Sequence, residues 1–180
     1  MERLSLEARV VYSFFLLFIL VGLASSVWFW IDDGLGLGAT GTQAYYLGSR
    51  SDPDPAAPSD GPELELPGDA AAEPLRLAKP PRQVVETFHF HLFSVSVCFL
   101  ILGHIFMMVR LGRAAKVAVI SCGALGSLAH LLVPVLVRFG SPGLAHMMFP
   151  TAAIAGLSWV WMTIHPLVEM WVVVPEDTKP

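Results

Sequence analysis

The sequence predicts an all-α, integral membrane four-helix bundle with one long extracytoplasmic loop. Three observations carry that prediction. Of 180 residues, 54% are hydrophobic and 14% charged, with a mean hydropathy of +0.62, whereas a soluble domain carries about 25% charged residues. The charges avoid four long apolar runs, each near the ~20 residues that a spanning helix needs. The connections after the second and third runs are a few residues long, which makes those helices antiparallel neighbours. The same composition excludes a soluble globular enzyme and a disordered chain. A net charge of −4 and a pI near 5.8 leave no basic footprint for nucleic acid.

Taken in order, residues 1–9 form a tail carrying Arg3 and Arg9, followed by a first span at 10–31 without a charge. Ala24, Ser25 and Ser26 resemble a signal-peptide cleavage region. The apolar run, however, continues through Trp28 and Trp30 to Ile31, longer than the ~7–15 residues of a signal-peptide core, so it reads as a retained helix with a tryptophan belt at its far end. Residues 32–87 form the long loop, with ten acids against four bases. In it, Gly34 to Gly38 and then Gln43 to Gly48 read as a turn and a short ordered piece. Residues 52–81 are rich in Pro, Ala, Asp and Glu and are expected to be extended and mobile. The second span covers 88–109, a turn 110–113, the third span 114–137 and an outer turn 138–142. The fourth span, 143–168, is kept whole despite Pro150 and Pro166, because freed carbonyls in membrane helices find other partners. Residues 169–180 are the second tail.

The connection holding Arg110, Arg113 and Lys116 carries no acid, so the positive-inside rule puts it and both tails in the cytoplasm. The expected setting is a bacterial-type inner membrane, crossed four times, with lipid around the bundle. Cys98 and Cys122 lie inside apolar runs and offer neither a disulfide framework nor a CxxC metal site. In the third span, Ser121, Gly123, Gly126 and Ala129 are small residues suited to close helix packing, and the same glycines would make room for a flat ring.

Chemistry concentrates in histidine. All six, His89, His91, His104, His130, His146 and His165, lie in or at the ends of spans two to four, and an ionisable side chain in a membrane marks a functional site by default. At ~1.5 Å per residue from the outer ends, His89, His91, His130 and His146 lie within ~12 Å of the outer surface, and His104 and His165 lie ~27 and ~33 Å from it. The antiparallel chain therefore brings histidines of different helices to matching heights twice. At ~100° per residue, His89 and His91 point about 160° apart, His89 and His104 about 60°, and His91 and His104 about 140°. His89 thus shares a face with His104, while His91 suits the outer level of His130.

Stacked histidine pairs on different helices resemble the b-type cytochromes of membranes, in the segment from His89-Phe90-His91 to Gly103-His104 above all. The resemblance implies one or two b-type haems held by pairs of histidines, in a subunit that passes electrons to or from quinone or a partner redox protein within an oxidoreductase complex. The outer haem iron would take His91 and His130, with His89 or His146 as alternates, and the inner one His104 and His165. Phe88, Phe90, Phe93, Phe99 and Phe106 would wall the porphyrin, and Met107, Met108, Met147 and Met148 are further axial donors. The chain departs from the pattern at the inner level, where the two histidines differ by about 6 Å in height and His165 precedes Pro166.

Other readings stay open. His89, His91 and the Met pairs are imidazole and thioether donors that suit copper, although an HxH pair on a helix splays its rings. A proton relay through the histidines, Glu86 and Glu169 would make a carrier, but broken helices and internal symmetry are missing. A structural or assembly subunit would use its acidic loop to dock a basic periplasmic partner. A hydrolase lacks an intramembrane carboxylate for a triad, and the cysteines lack an electropositive setting. The topology has a direct check: protease added to the outer face of spheroplasts is expected to cut between residues 52 and 81, detected as a shift in fragment mass, and protection of that stretch rejects the orientation.

Overall fold

In the computed structural model of the protein, residues 4–49 and 76–172 are described, and within them all regular structure is helical. Four helices are long and apolar enough to cross a membrane; the protein is a multi-pass membrane protein. The expected extended stretch at 52–81 lies outside the described residues up to position 75.

Helix α1 runs Leu6–Asp32, capped by Ser5, whose hydroxyl accepts the Ala8 N–H. A turn through Gly34 and Gly36, both at φ +63°, leads into α2, Ala39–Leu47. Helix α3, Pro81–Met107, begins with proline at its first position, where a missing N–H costs nothing. It starts seven residues before the apolar run does. Hydropathy registers only the lipid-facing length, whereas the helix also takes in the exposed turn of Arg82 and Glu86, paired at 2.7 Å one turn apart. Helix α4, Arg113–Phe139, stays continuous through Pro134, and Lys116 Nζ in its second turn donates to the Met107 carbonyl that ends α3.

The fourth span does not begin as an α-helix. Pro142–Met147 is a 3-10 helix, followed by α5 at Met148–Trp171. Pro150 falls in the first turn of α5, where N–H groups have no intrahelical partner, so it marks a start and not a break.

The four long helices alternate in direction, giving a loop end, where α2 sits, and an N-terminal end. At the N-terminal end, Leu16 of α1, Leu102, Ile105 and Phe106 of α3, and Trp159 and Met162 of α5 form one buried cluster. At the loop end, Val133 and Val137 of α4, Ala145 and Met148 form a second, covered by Trp30, Tyr46 and Leu47. Between them α4 and α5 approach closely: a Cβ on Gly126 would lie 2.9 Å from the Ala155 nitrogen. Gly123 is filled likewise by Phe99, Ser158 and Met162. These glycines therefore admit the neighbouring helix and leave no slot for a ring. Trp159 Nε1 donates to Ser127 Oγ at 2.9 Å across the same seam. The outward faces, such as Phe14, Phe18, Phe90, Leu125 and Leu157, are exposed and apolar, as a lipid-facing surface requires.

The long loop is closed at its base. Ser49 N–H donates to the Arg76 carbonyl at 3.0 Å, and the Arg76 N–H to Ser49 Oγ at 2.8 Å. Lys79 N–H bonds the Tyr46 carbonyl while its ammonium sits 4.3 Å from the centre of the Tyr45 ring. The Arg76 guanidinium donates to the Asp33 carbonyl, and Arg138 Nε to that of Lys79. Gly48, at φ +87°, is needed here, since a Cβ would fall 2.8 Å from the Arg76 carbonyl.

Two predictions follow from this packing. Gly126→Ala is expected to cost about 1–3 kcal/mol through overpacking and lower the thermal midpoint in detergent. Gly22→Ala, with nothing within 4 Å, leaves the midpoint unchanged or raises it. Burial pushes the Tyr46 phenol above the ordinary tyrosine range, with neighbouring Tyr45 and Asp33 adding to the effect. The folded state thus keeps a proton that the unfolded chain loses near pH ~10; the associated stability is complete below that pH and is lost above it. Tyr46→Phe should flatten the alkaline fall in thermal midpoint between about pH 9 and pH 11.

Candidate functional site

The histidines divide by helix face. On α3, His91 is exposed and its Nδ1 lies 2.8 Å from the Thr87 carbonyl. A carbonyl only accepts, so Nδ1 carries a hydrogen, and the tautomer this bond selects is the one with its lone pair at Nε2. On α4, His130 is half-buried and its Nδ1 lies 3.4 Å from Thr151 Oγ1 of α5. The Thr151 hydroxyl donates to the Met147 carbonyl at 2.7 Å, which leaves its oxygen able to accept a hydrogen from His130, and the ring also meets the Met148 backbone carbonyl. Trp30 of α1 flanks the His130 ring, centroid to centroid 6.4 Å, and Trp30 in turn meets Phe149 edge-on. Helices α3 and α4, which carry the two histidines, pack against each other. The pair expected at the outer level is thus on neighbouring helices, with both Nδ1 atoms held.

The alternates are turned elsewhere. His89 packs edge-on against Phe90 and Phe93 of its own helix, with ring centroids 6.0 and 5.0 Å away. Because α3 is unbroken through 89–91, the two rings diverge, and a copper chelate by that pair would require the helix to unwind. His146 lies in the 3-10 helix, exposed, its Nδ1 on the Gly143 carbonyl.

At the other level His104 and His165 lie on separate clefts. His104 lines one between α1 and α3 with Tyr12, Leu100, Ile101 and Ile105. His165 lines another with Arg110, Val168 and Glu169, stacked on Trp161 at 5.8 Å and meeting Phe106 edge-on. The cause is helical phase: Phe106, fully buried on the α5 side, is two residues and ~200° from His104, so the side chain that reaches His165 directs His104 away from it. No group of three or more His, Cys, Asp or Glu suited to a metal occurs among the described residues, whereas axial haem ligation requires two.

Sequence reasoning missed Thr87, Thr151 and Trp30 as partners of the outer pair, and Tyr12 beside His104. Thr87 was readable as the residue one turn before His91; the others depend on which helices meet. It also missed the role of Glu169, a buried acid in the last turn of α5 whose carboxylate accepts the Arg110 N–H at 2.8 Å, beside Arg9 Nη1 on the Met170 carbonyl.

No curated protein and no solved structure matches the chain. A family model, Aq_1264_TM, described as a transmembrane helical domain, matches residues 36–178, from the turn before α2 to beyond the end of α5. The chain belongs to this family of transmembrane helical domains.

Proposed function

We propose that the protein is a membrane electron-transfer subunit that holds one b-type haem near its loop end, between His91 and His130. The observation that carries this reading is the holding of those two imidazoles, His91 Nδ1 2.8 Å from the Thr87 carbonyl and His130 Nδ1 3.4 Å from the Thr151 hydroxyl, since a neighbouring hydrogen-bond partner is what orients a metal-binding histidine. The donor set fits the group, since two neutral imidazoles are a normal axial pair for haem iron.

Each surrounding residue has a definite part. The Thr87 carbonyl and the Thr151 hydroxyl hold the rings, and Trp30, itself packed edge-on by Phe149, supplies apolar aromatic surface beside His130. Bound there, haem would supply one-electron exchange, and the protein would contribute ligands, orientation and a dry setting. The inner pair plays no part in this reading, because His104 and His165 line different clefts. Exchange partners are quinone or a redox protein, within a larger oxidoreductase complex. Arg110, Arg113 and Lys116 favour a cytoplasmic N-terminal end in a bacterial-type inner membrane, which sets the acidic loop and the His91–His130 level outside.

Protein purified from haem-competent cells is expected to show reduced α and Soret bands at about one haem per chain. His130→Ala and His91→Ala each remove most of it, while His165→Ala leaves the haem count unchanged. A colourless protein, or undiminished haem in both ligand variants, rejects the assignment.

A further inference from the structure

Helix α3 differs from the other spans in what it shows to lipid. On α1, α4 and α5 the exposed positions between the end turns hold no histidine and no charged residue. On α3, besides His91 of the site above, His89 and His104 are both exposed, in a helix apolar enough to cross a membrane. Ser96 lies exposed between them, its hydroxyl returned to the Leu92 carbonyl of its own helix. Ionisable side chains in membrane segments normally face protein or a water-filled cavity, because facing lipid is costly. The outward face of α3 therefore calls for a protein neighbour.

That face has the spacing of a helix-pairing seam. Arg82, Glu86, His89, Phe93, Ser96 and Leu100 follow one another at alternating steps of four and three residues, the period at which a stripe on one helix meets another helix. His104 continues the row, and at ~100° per residue all seven fall within about 80° of arc. Every one of them is exposed. Their chemistry identifies the neighbour. Copies of one membrane protein share an orientation, so a two-fold axis between them follows the membrane normal and equal heights meet. Residues near the axis must then complement themselves. A neutral imidazole does, having one N–H donor and one acceptor nitrogen. At the head of the row Arg82 and Glu86 pair at 2.7 Å yet stay 89% and 51% exposed, so each is open to the opposite charge of a second copy.

We infer that α3 pairs with α3 of a second copy along the Arg82–His104 row, making the protein a parallel, two-fold homodimer in the membrane. Arg82 of each copy meets Glu86 of the other, and His89 and His104 meet their counterparts. The inference uses neither the haem nor the His91–His130 level and stands if that assignment fails.

Cross-linking in native membranes tests it, in a chain freed of its own thiols by Cys98→Ala and Cys122→Ala. Phe93→Cys or Leu100→Cys, oxidised with copper phenanthroline, is expected to give a disulfide-linked dimer at twice the 19.5 kDa of the chain. Leu157→Cys is expected to stay monomeric, although Leu157 on α5 is as exposed as Leu100, each at 72%. A second measurement follows dissociation on dilution in micelles, with the native cysteines in place. There Glu86→Arg and His104→Leu each raise the dimer dissociation constant about tenfold, and adding Arg82→Glu to Glu86→Arg restores it. These side chains are exposed, so the variants keep the core. Dimers formed no faster at positions 93 and 100 than at 157, cross-links to a different protein alone, or an unchanged dissociation constant in both Glu86→Arg and His104→Leu overturn the inference.

Discussion

Inside a bilayer, helices gain nothing by hiding apolar surface from one another, since lipid tails are as apolar as leucine side chains. What holds this bundle is close contact, and α5 is where it accumulates: it packs on α4, α1 and α3. Against α4 the backbones meet at Gly126 and Ala155, with the Trp159–Ser127 hydrogen bond beside them. Against α1 the grip is made by Trp171 Nε1 on Ser13 Oγ and Arg9 on the Met170 carbonyl. Against α3 it is Met162 under Gly103. The rotation of α5 about its axis fixes which way Thr151 and His165 point, and both candidate levels inherit their geometry from it.

Much of the fold was legible in hydropathy because a membrane span is a one-dimensional property: twenty apolar residues in a row suffice to announce it. What was not legible depends on contact between elements. The early start of α3 rests on Pro81 and an exposed Arg82–Glu86 pair, polar residues that a hydropathy run excludes. The turn at Gly34 to Gly38 and an ordered piece at Gln43 to Gly48 were legible, but not that the piece is a helix beginning at Ala39, which is held by Gln43 on the Pro142 carbonyl and by Tyr46 against the loop-end cluster.

The same division holds for the histidines. Counting residues gives height, and the heights of His91 and His130 agree. It does not give azimuth across helices. His104 and His165 matched roughly in height, yet Phe106 takes the inward face of α3 at that level and His104 turns toward α1. The buried Glu169 was visible only as an acid at a membrane edge; its hydrogen bond to the Arg110 backbone N–H makes it the cap of the turn between α3 and α4.

The clasp between Ser49 and Arg76 separates the length of the acidic segment from the architecture beneath it. Twenty-six residues, 50–75, leave and return through one pair of reciprocal hydrogen bonds, and the cost of closing such a loop grows only logarithmically with its length. By that term alone, the length of chain between the two anchors can change at little cost while the clasp holds the ends of the loop together. A reporter domain or affinity tag spliced between residues 50 and 75 would use the same freedom.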